Sequence, residues 1–154
     1  EGKPEQFTAF LSGKAISLKE VGDGVFSEGM MGDGMAIIPE NETLYAPADA
    51  EITMLMPESR HACGLKLRND MEVLLHIGVD TVDMKGDGFT YLVQEGQKVH
   101  AGTPLITFDR AKIKAAGHPD ITVCIITDEG NAQNIQFQTG RHVKENETTI
   151  ATFQ

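Results

Sequence analysis

The 154-residue sequence predicts an all-β fold, an antiparallel β-sandwich or barrel with only short helical turns. Three observations carry that prediction. Segments of about four to nine residues, rich in Ile, Val, Thr, Leu and Phe, recur along the chain, each bounded by Gly, Pro, Asp or Asn. Glycine is abundant, with 16 residues, and tryptophan is absent, a balance that suits turn-rich β structure better than a helical bundle. Apolar residues at helical spacing are nearly missing.

In chain order the strand segments are AISL (15–18), MAII (35–38), LYAP (44–47), EITMLM (51–56), CGLKLR (63–68), MEVLLHIGV (71–79), TYLV (90–93), PLITF (104–108), ITVCIIT (121–127) and TIATF (149–153). The one helical candidate is DRAKIKAAG (109–117), where Ala, Lys and Arg favour helix and Gly117, followed by Pro119, stops it. No low-complexity linker divides the chain, so residues 1–154 read as one domain. The chain starts at Glu1 without a Met, and the expectation is a trimmed product or a piece of a longer protein.

Two internal echoes suggest a pseudo-duplicated sandwich. EGQKVHAGTPLIT (95–107) resembles TGRHVKENETTIA (139–151), with Gly96 against Gly140, Val99 against Val143 and Ile106 against Ile150. TAFLSGKAISL (8–18) resembles YAPADAEITML (45–55), with Ala9 against Ala46 and Leu18 against Leu55. The two echoes have different offsets, which fits a degenerate duplication and also fits chance likeness of turn-strand segments.

The formal net charge is −10. A phosphate-backbone binder needs the opposite sign, so nucleic acid is excluded as a partner. An acidic surface is common on soluble proteins, and it can also steer a basic partner. No segment approaches the ~18 apolar residues of a membrane span, so no direct membrane insertion is expected. The two cysteines, Cys63 and Cys124, are far apart in sequence and lie in apolar company. They read as buried thiols in a reducing cytoplasm rather than a disulfide framework.

Of the five histidines, His100, His118 and His142 lie in polar, turn-like contexts and read as solvated surface residues. His76 lies inside a strand pattern. By alternation Val73, Leu75 and Ile77 face one way, and Leu74, His76 and Gly78 the other. Gly78 leaves room beside the imidazole for an incoming group and brings a backbone carbonyl close. A hydrogen-bonded, half-buried histidine is the plainer reading of the same pattern. His61 opens a strand after the turn Pro57–Arg60, beside the hydroxyl of Ser59, and a capping or surface role is its plainer reading. Functionally, a neutral imidazole is nucleophilic near neutral pH, and a hydrogen bond to its second nitrogen fixes the tautomer. A second histidine or a hydroxyl alongside could donate to phosphoryl oxygens during transfer.

At these residues the chain resembles the IIA domain of the glucose-type bacterial phosphoenolpyruvate-dependent sugar phosphotransferase system. The resemblance runs over FLSGKAISLKEVGDGVFSEGMMGDGMAI (10–37), LYAPADAEITML (44–55), ESRHACGL (58–65), VLLHIGVDTVDMKGDGF (73–89) and QEGQKVHAGTPLITFD (94–109), almost the whole sequence. HIGVDTVDMKGDGF is the most specific block, and ESRHA stands at the right distance before it.

The resemblance implies a cytoplasmic phosphoryl carrier, a monomer without a cofactor. It would take phosphate from the histidine phosphocarrier protein and pass it to a cysteine of the IIB domain of a sugar permease. His76 matches the histidine phosphorylated at Nε2, with the Gly78 carbonyl holding its Nδ1–H. His61 matches the second active-site histidine, which supports transfer to the acceptor. Ser59 stands where Thr is usual. Asp23 and Asp80 match acidic residues that meet a basic donor, and Phe26, Met30, Met31 and Val82 fall on the apolar docking rim.

The chain departs from the family pattern at Ala50, where Gly is common, at Cys63, where an aromatic is frequent, at Arg60, where a neutral residue is common, and in the softer Met30 and Met31. None of these removes a catalytic group. Two rivals share the general shape. A zinc peptidase of the lysostaphin type needs a His-x-His pair, and Gly78 stands where its second histidine would be. A lipoyl or biotinyl carrier domain needs a lysine at a hairpin tip, and Met84-Lys85-Gly86 is the nearest approach. No resident metal is expected, although His61 and His76 could bind zinc if a partner supplied a carboxylate.

Overall fold

A computed structural model describes residues 5–22 and 32–154; Asp23, Phe26, Met30 and Met31 lie outside the described residues. The strands are β1 (Glu5–Thr8), β2 (Gly13–Ser17), β3 (Asp33–Pro39), β4 (Thr43–Tyr45), β5 (Ala50–Leu55), β6 (Ala62–Lys66), β7 (Glu72–Ile77), β8 (Phe89–Tyr91), β9 (Lys98–Val99), β10 (Pro104–Phe108), β11 (Thr122–Asp128), β12 (Gln136–Phe137), β13 (Arg141–Val143) and β14 (Thr149–Phe153). One α-helix, α1 (Arg110–Ala115), and two 3-10 turns (Leu18–Glu20 and Thr81–Met84) complete the described elements. The helix starts where Asp109 accepts a hydrogen bond from the Lys112 amide, and it ends before Gly117, whose φ is +84°.

An eight-stranded sheet runs in the order β13-β2-β3-β11-β7-β6-β5-β9, and two three-stranded sheets run β1-β14-β12 and β4-β10-β8. Every pairing is antiparallel. Side chains from all three sheets, among them Phe7, Leu44, Leu75, Ile106, Cys124 and Phe153, meet in one core. The fold is therefore the antiparallel sandwich the strand pattern implies. Cys63 and Cys124 both pair with Leu75, one from each side, and both are buried free thiols. Two strand spacings put their Cα atoms about 10 Å apart, beyond disulfide reach. Burial pushes the Cys63 thiol up to about 12 and the Cys124 thiol up as well, so neither supplies a thiolate.

The duplication is present, and it is nested. The order of the large sheet reads symmetrically from both edges, with β13 answering β9, β2 answering β5, β3 answering β6, and β11 answering β7 at the centre. The small sheets match in the same way, β1-β14-β12 against β4-β10-β8. Individual hydrogen bonds repeat. Thr8 N donates to Pro47 O and Tyr45 N to Phe10 O; Gly102 N donates to Ala46 O and Asn146 N to Ala9 O; Gly96 N donates to Ile52 O and Gly140 N to Ala15 O. One unit is β4 to β10. The other is β1 to β3 continued by β11 to β14, with the first unit inserted in its middle. The insertion explains the different offsets of the two echoes: the outer copy precedes the inner one before the insert and follows it after.

Candidate functional site

His61 and His76 come together where β6 meets β7. Their ring centroids are 4.5 Å apart and the rings stand edge to face at 87°. Ala62, the first residue of β6, pairs directly with His76, and the Ile77 amide donates to the His61 carbonyl at 2.8 Å. In β7, Val73, Leu75 and Ile77 are buried in the core while Leu74 and His76 are half-buried on the opposite face, as alternation requires. On that outer face one cross-strand row reads Ile16, Ala36, Val123, His76, Ala62. Ile16, Ala36 and Val123 are buried, and Leu74 and Ile121 pack against them. His76 thus stands in apolar surroundings, where electrostatic interactions are stronger than in water.

The strand ends in a tight turn that fixes the His76 ring. Gly78 has φ +78°, and its carbonyl oxygen lies 2.9 Å from His76 Nδ1. A carbonyl only accepts, so Nδ1 carries the proton and a neutral ring leaves the Nε2 lone pair unprotonated. The turn is locked by the buried Thr81, whose hydroxyl donates to the Ile77 carbonyl at 2.5 Å. Gly78 N donates to Ile121 O and Val79 N to Pro119 O. A Cβ on Gly78 would come 2.4 Å from Thr81 Cγ2 and 2.9 Å from Pro119 O. The space beside Gly78 is therefore filled from within the protein. This corrects the sequence reading of it as room for an incoming group.

His61 is carried by the turn after β5. Arg60 N donates to Met56 O, and Arg60 itself is left-handed, with φ 53°. Its guanidinium donates to the Gly86 carbonyl at 3.1 Å, tying this turn to the loop that follows β7. Ser59 and His61 are both buried, at 6% and 2% exposure. Burial first, and then the neighbouring His76, hold the His61 pKa down at about 4, against a smaller upward pull from the Ser59 backbone. His61 is neutral at physiological pH, and its Nδ1 is buried with no hydrogen-bond partner among the described residues.

Asp80 is exposed and left-handed, with φ 61°, at the start of the 3-10 turn, and Val82 on that turn is 53% exposed. A shallow depression lined by Met56, Pro57, Ser59, Arg60, Val82 and Lys85 adjoins the His61 turn. Asp23, Phe26, Met30 and Met31 lie outside the described residues. His100 and His142 are exposed beside Asp49 and Glu40, and His118 is half-buried. Among the described residues no cluster of three or more His, Cys, Asp or Glu is arranged to hold a metal ion.

Sequence reasoning passed over four residues that shape the site: Thr81, Val123, Phe89 and Tyr91. Phe89 packs against His61 at a centroid distance of 6.4 Å, and Tyr91 hydrogen-bonds the turn that carries it. The available signal was the strand segment TYLV with Phe89 just before it, which by alternation puts the two rings on one face.

Comparison with known proteins agrees with this architecture. Residues 5–132 match the family model of the phosphoenolpyruvate-dependent sugar phosphotransferase system, EIIA 1. The structure is similar to that of glucose permease IIA from Mycoplasma capricolum, with a TM-score of 0.88 and 33% sequence identity over 98% of this chain and 96% of that one. With most of the chain matched in sequence and nearly all of it in structure, this chain belongs to the glucose-type EIIA family of the phosphoenolpyruvate-dependent sugar phosphotransferase system.

Proposed function

We propose that the chain is a phosphoryl carrier that accepts phosphate on His76 Nε2 from the histidine phosphocarrier protein and passes it to the cysteine of the IIB domain of a glucose-type sugar permease. The observation that carries this reading is the 2.9 Å contact of His76 Nδ1 with the Gly78 carbonyl, which leaves Nε2 as the nucleophile. In the accepting step Nε2 attacks phosphorus, a new P–N bond forms, and the donor's P–N bond breaks. In the donating step the IIB thiolate attacks, an S–P bond forms, and neutral His76 is released.

His61 is neutral before transfer and has one N–H to offer a phosphoryl oxygen. A phosphate on the neutral His76 ring brings negative charge beside His61, and a neighbouring negative charge raises an imidazole's affinity for a proton. His61 then becomes a better donor when the phosphoryl group must leave. Asp80 and Val82, together with Asp23, Phe26, Met30 and Met31, supply the docking face: charge to orient a basic donor, and apolar surface to fit two partners in turn. The carrier works in the cytoplasm as a monomer. Among the described residues no helix is long and apolar enough to cross a membrane. If zinc binds at all, His61 and His76 hold it and a partner completes the ligand set.

The test is labelled phosphate supplied through the histidine phosphocarrier protein. His76→Gln should take up none. His61→Gln should take up phosphate at close to the wild-type rate but pass it to IIB at least about a hundredfold more slowly. Label on His76→Gln at the wild-type rate would overturn the assignment.

A further inference from the structure

We infer that Tyr91 is a positioning residue for His61, holding the imidazole against His76 by tying together the two ends of the turn that carries it. The inference rests on the phosphoryl-carrier reading of the site. The Tyr91 hydroxyl accepts from the Met56 amide at 2.8 Å and donates to the Ala62 carbonyl at 2.5 Å. Met56 opens the turn that carries Ser59, Arg60 and His61. Ala62 closes it and pairs with His76. One hydroxyl therefore bridges both ends of the turn, next to the residue opposite the nucleophile.

The same strand supplies a second contact. Phe89 and Tyr91 are two residues apart in β8 and face the same side, and the Phe89 ring meets the His61 ring edge on. β8 thus supports His61 twice, with a ring against the imidazole and a hydroxyl across its turn. On the other side the Ile77 amide holds the His61 carbonyl, so the backbone at His61 is fixed from β7 and from β8. His61 reaches its buried, neutral state only while the turn stays closed over it. Burial of Tyr91 raises its own pKa, so the hydroxyl keeps the proton it donates to Ala62.

Tyr91→Phe keeps the ring and removes both hydrogen bonds. Passage of phosphate from His76 to IIB, measured at saturating IIB, should slow by about tenfold, because a catalytic group held loosely loses much of its effect. Uptake from the histidine phosphocarrier protein should stay within about twofold, because the Gly78 contact that sets the nucleophile is untouched. The His61 ring, followed by NMR, should titrate at least about one pH unit higher than in the wild type as water reaches it. In a His61→Gln background, adding Tyr91→Phe should cost nothing further in transfer.

Equal slowing of uptake and donation with an unmoved His61 titration overturns the inference and leaves Tyr91 a general stabiliser. A further loss of transfer in the His61→Gln background also overturns it. The titration needs no partner protein. It therefore decides on Tyr91 even where His76 takes up no phosphate, an outcome that would defeat the carrier reading instead.

Discussion

The two halves of the molecule share a backbone and divide the chemistry. The unit β4 to β10 holds His61, His76, the Gly78 turn and the supporting strand β8. The unit made of β1 to β3 and β11 to β14 repeats the same sheet order and many of the same turn hydrogen bonds. Yet its counterparts of β6 and β7 read DGMAIIP and TVCIITD and contain no histidine. What that second half gives the site is a wall: Val123 pairs directly with His76, and Ala36 and Ile16 extend the apolar row. β7 and β11 lie side by side at the centre of the large sheet, so the face of one copy is the neighbour of the other's His76. Duplication gave a rigid frame twice over. The copies differ at their common seam, where one carries the paired histidines and the other buried apolar side chains.

In the half that carries both histidines, Gly78 closes the turn against His76 Nδ1, and replacing it should have the largest effect. Gly78→Ala forces a side chain into a left-handed backbone and against Thr81 and the Pro119 carbonyl. The cost should be about 4 kcal/mol of stability by chemical denaturation, from strain and overpacking together. In protein that still folds, the carbonyl should no longer hold His76 Nδ1, and nitrogen NMR should show a mixture of tautomers. A variant that keeps both wild-type stability and a single tautomer would mean that the divergence of the halves does not turn on this residue.

A smaller effect follows from His61, which is buried in one half with no equivalent in the other. Its pKa is about 4 in the folded protein against an ordinary 6.5. Between those values the unfolded chain binds a proton that the folded protein does not. His61's part in stability is therefore complete above pH 6.5 and is lost as pH falls toward 4, by up to about 3 kcal/mol. Denaturation measured across this window should show wild-type stability falling with acid more steeply than that of His61→Gln. Parallel curves would place His61 in water and remove the contrast with the surface histidines.

What the sequence disclosed and what it hid separate along physical lines. The longer strands were legible because runs of β-branched and apolar residues bounded by Gly, Pro, Asp or Asn are a local signal, and α1 was legible from its Ala, Lys and Arg and the Gly117 and Pro119 that stop it. β1 and β12 were not, since EQFT and QF, of four and two residues, hold no such run and form against their partner strand β14. The echoes pointed to the duplication, but its nesting needed the sheet order. At the site, alternation placed His76 on the face opposite Val73, Leu75 and Ile77. The row from Ile16 to Ala62 depends on the register of five strands, which no local pattern records. Tyr91 reaches residues 35 and 29 positions away, and nothing in TYLV announces that. Gly78 was noticed for the right carbonyl and the wrong space, because the direction of a missing Cβ depends on a φ that the sequence leaves open.

The smallest effect tests the duplication itself. Gly102 and Asn146 occupy equivalent turns, with φ of +90° and +63°. Their amides make matching bonds, Gly102 N to Ala46 O at 2.8 Å and Asn146 N to Ala9 O at 3.0 Å. The inner copy uses glycine for the left-handed backbone, and the outer copy uses asparagine, which tolerates that region better than other residues with a side chain. Space does not forbid the exchange, since a Cβ on Gly102 would sit 3.5 Å from Asn146 Oδ1, an ordinary contact. Gly102→Asn should therefore cost less than about 1 kcal/mol, whereas Gly102→Val, β-branched and poorly suited to positive φ, should cost about 2 kcal/mol. The measurement is the pair of denaturation midpoints, with phosphoryl transfer unchanged in both variants because the turn is remote from His76 in the hydrogen-bond network. If asparagine costs as much as valine, the two turns share hydrogen bonds without sharing conformational tolerance, and the equivalence of the halves ends at the backbone.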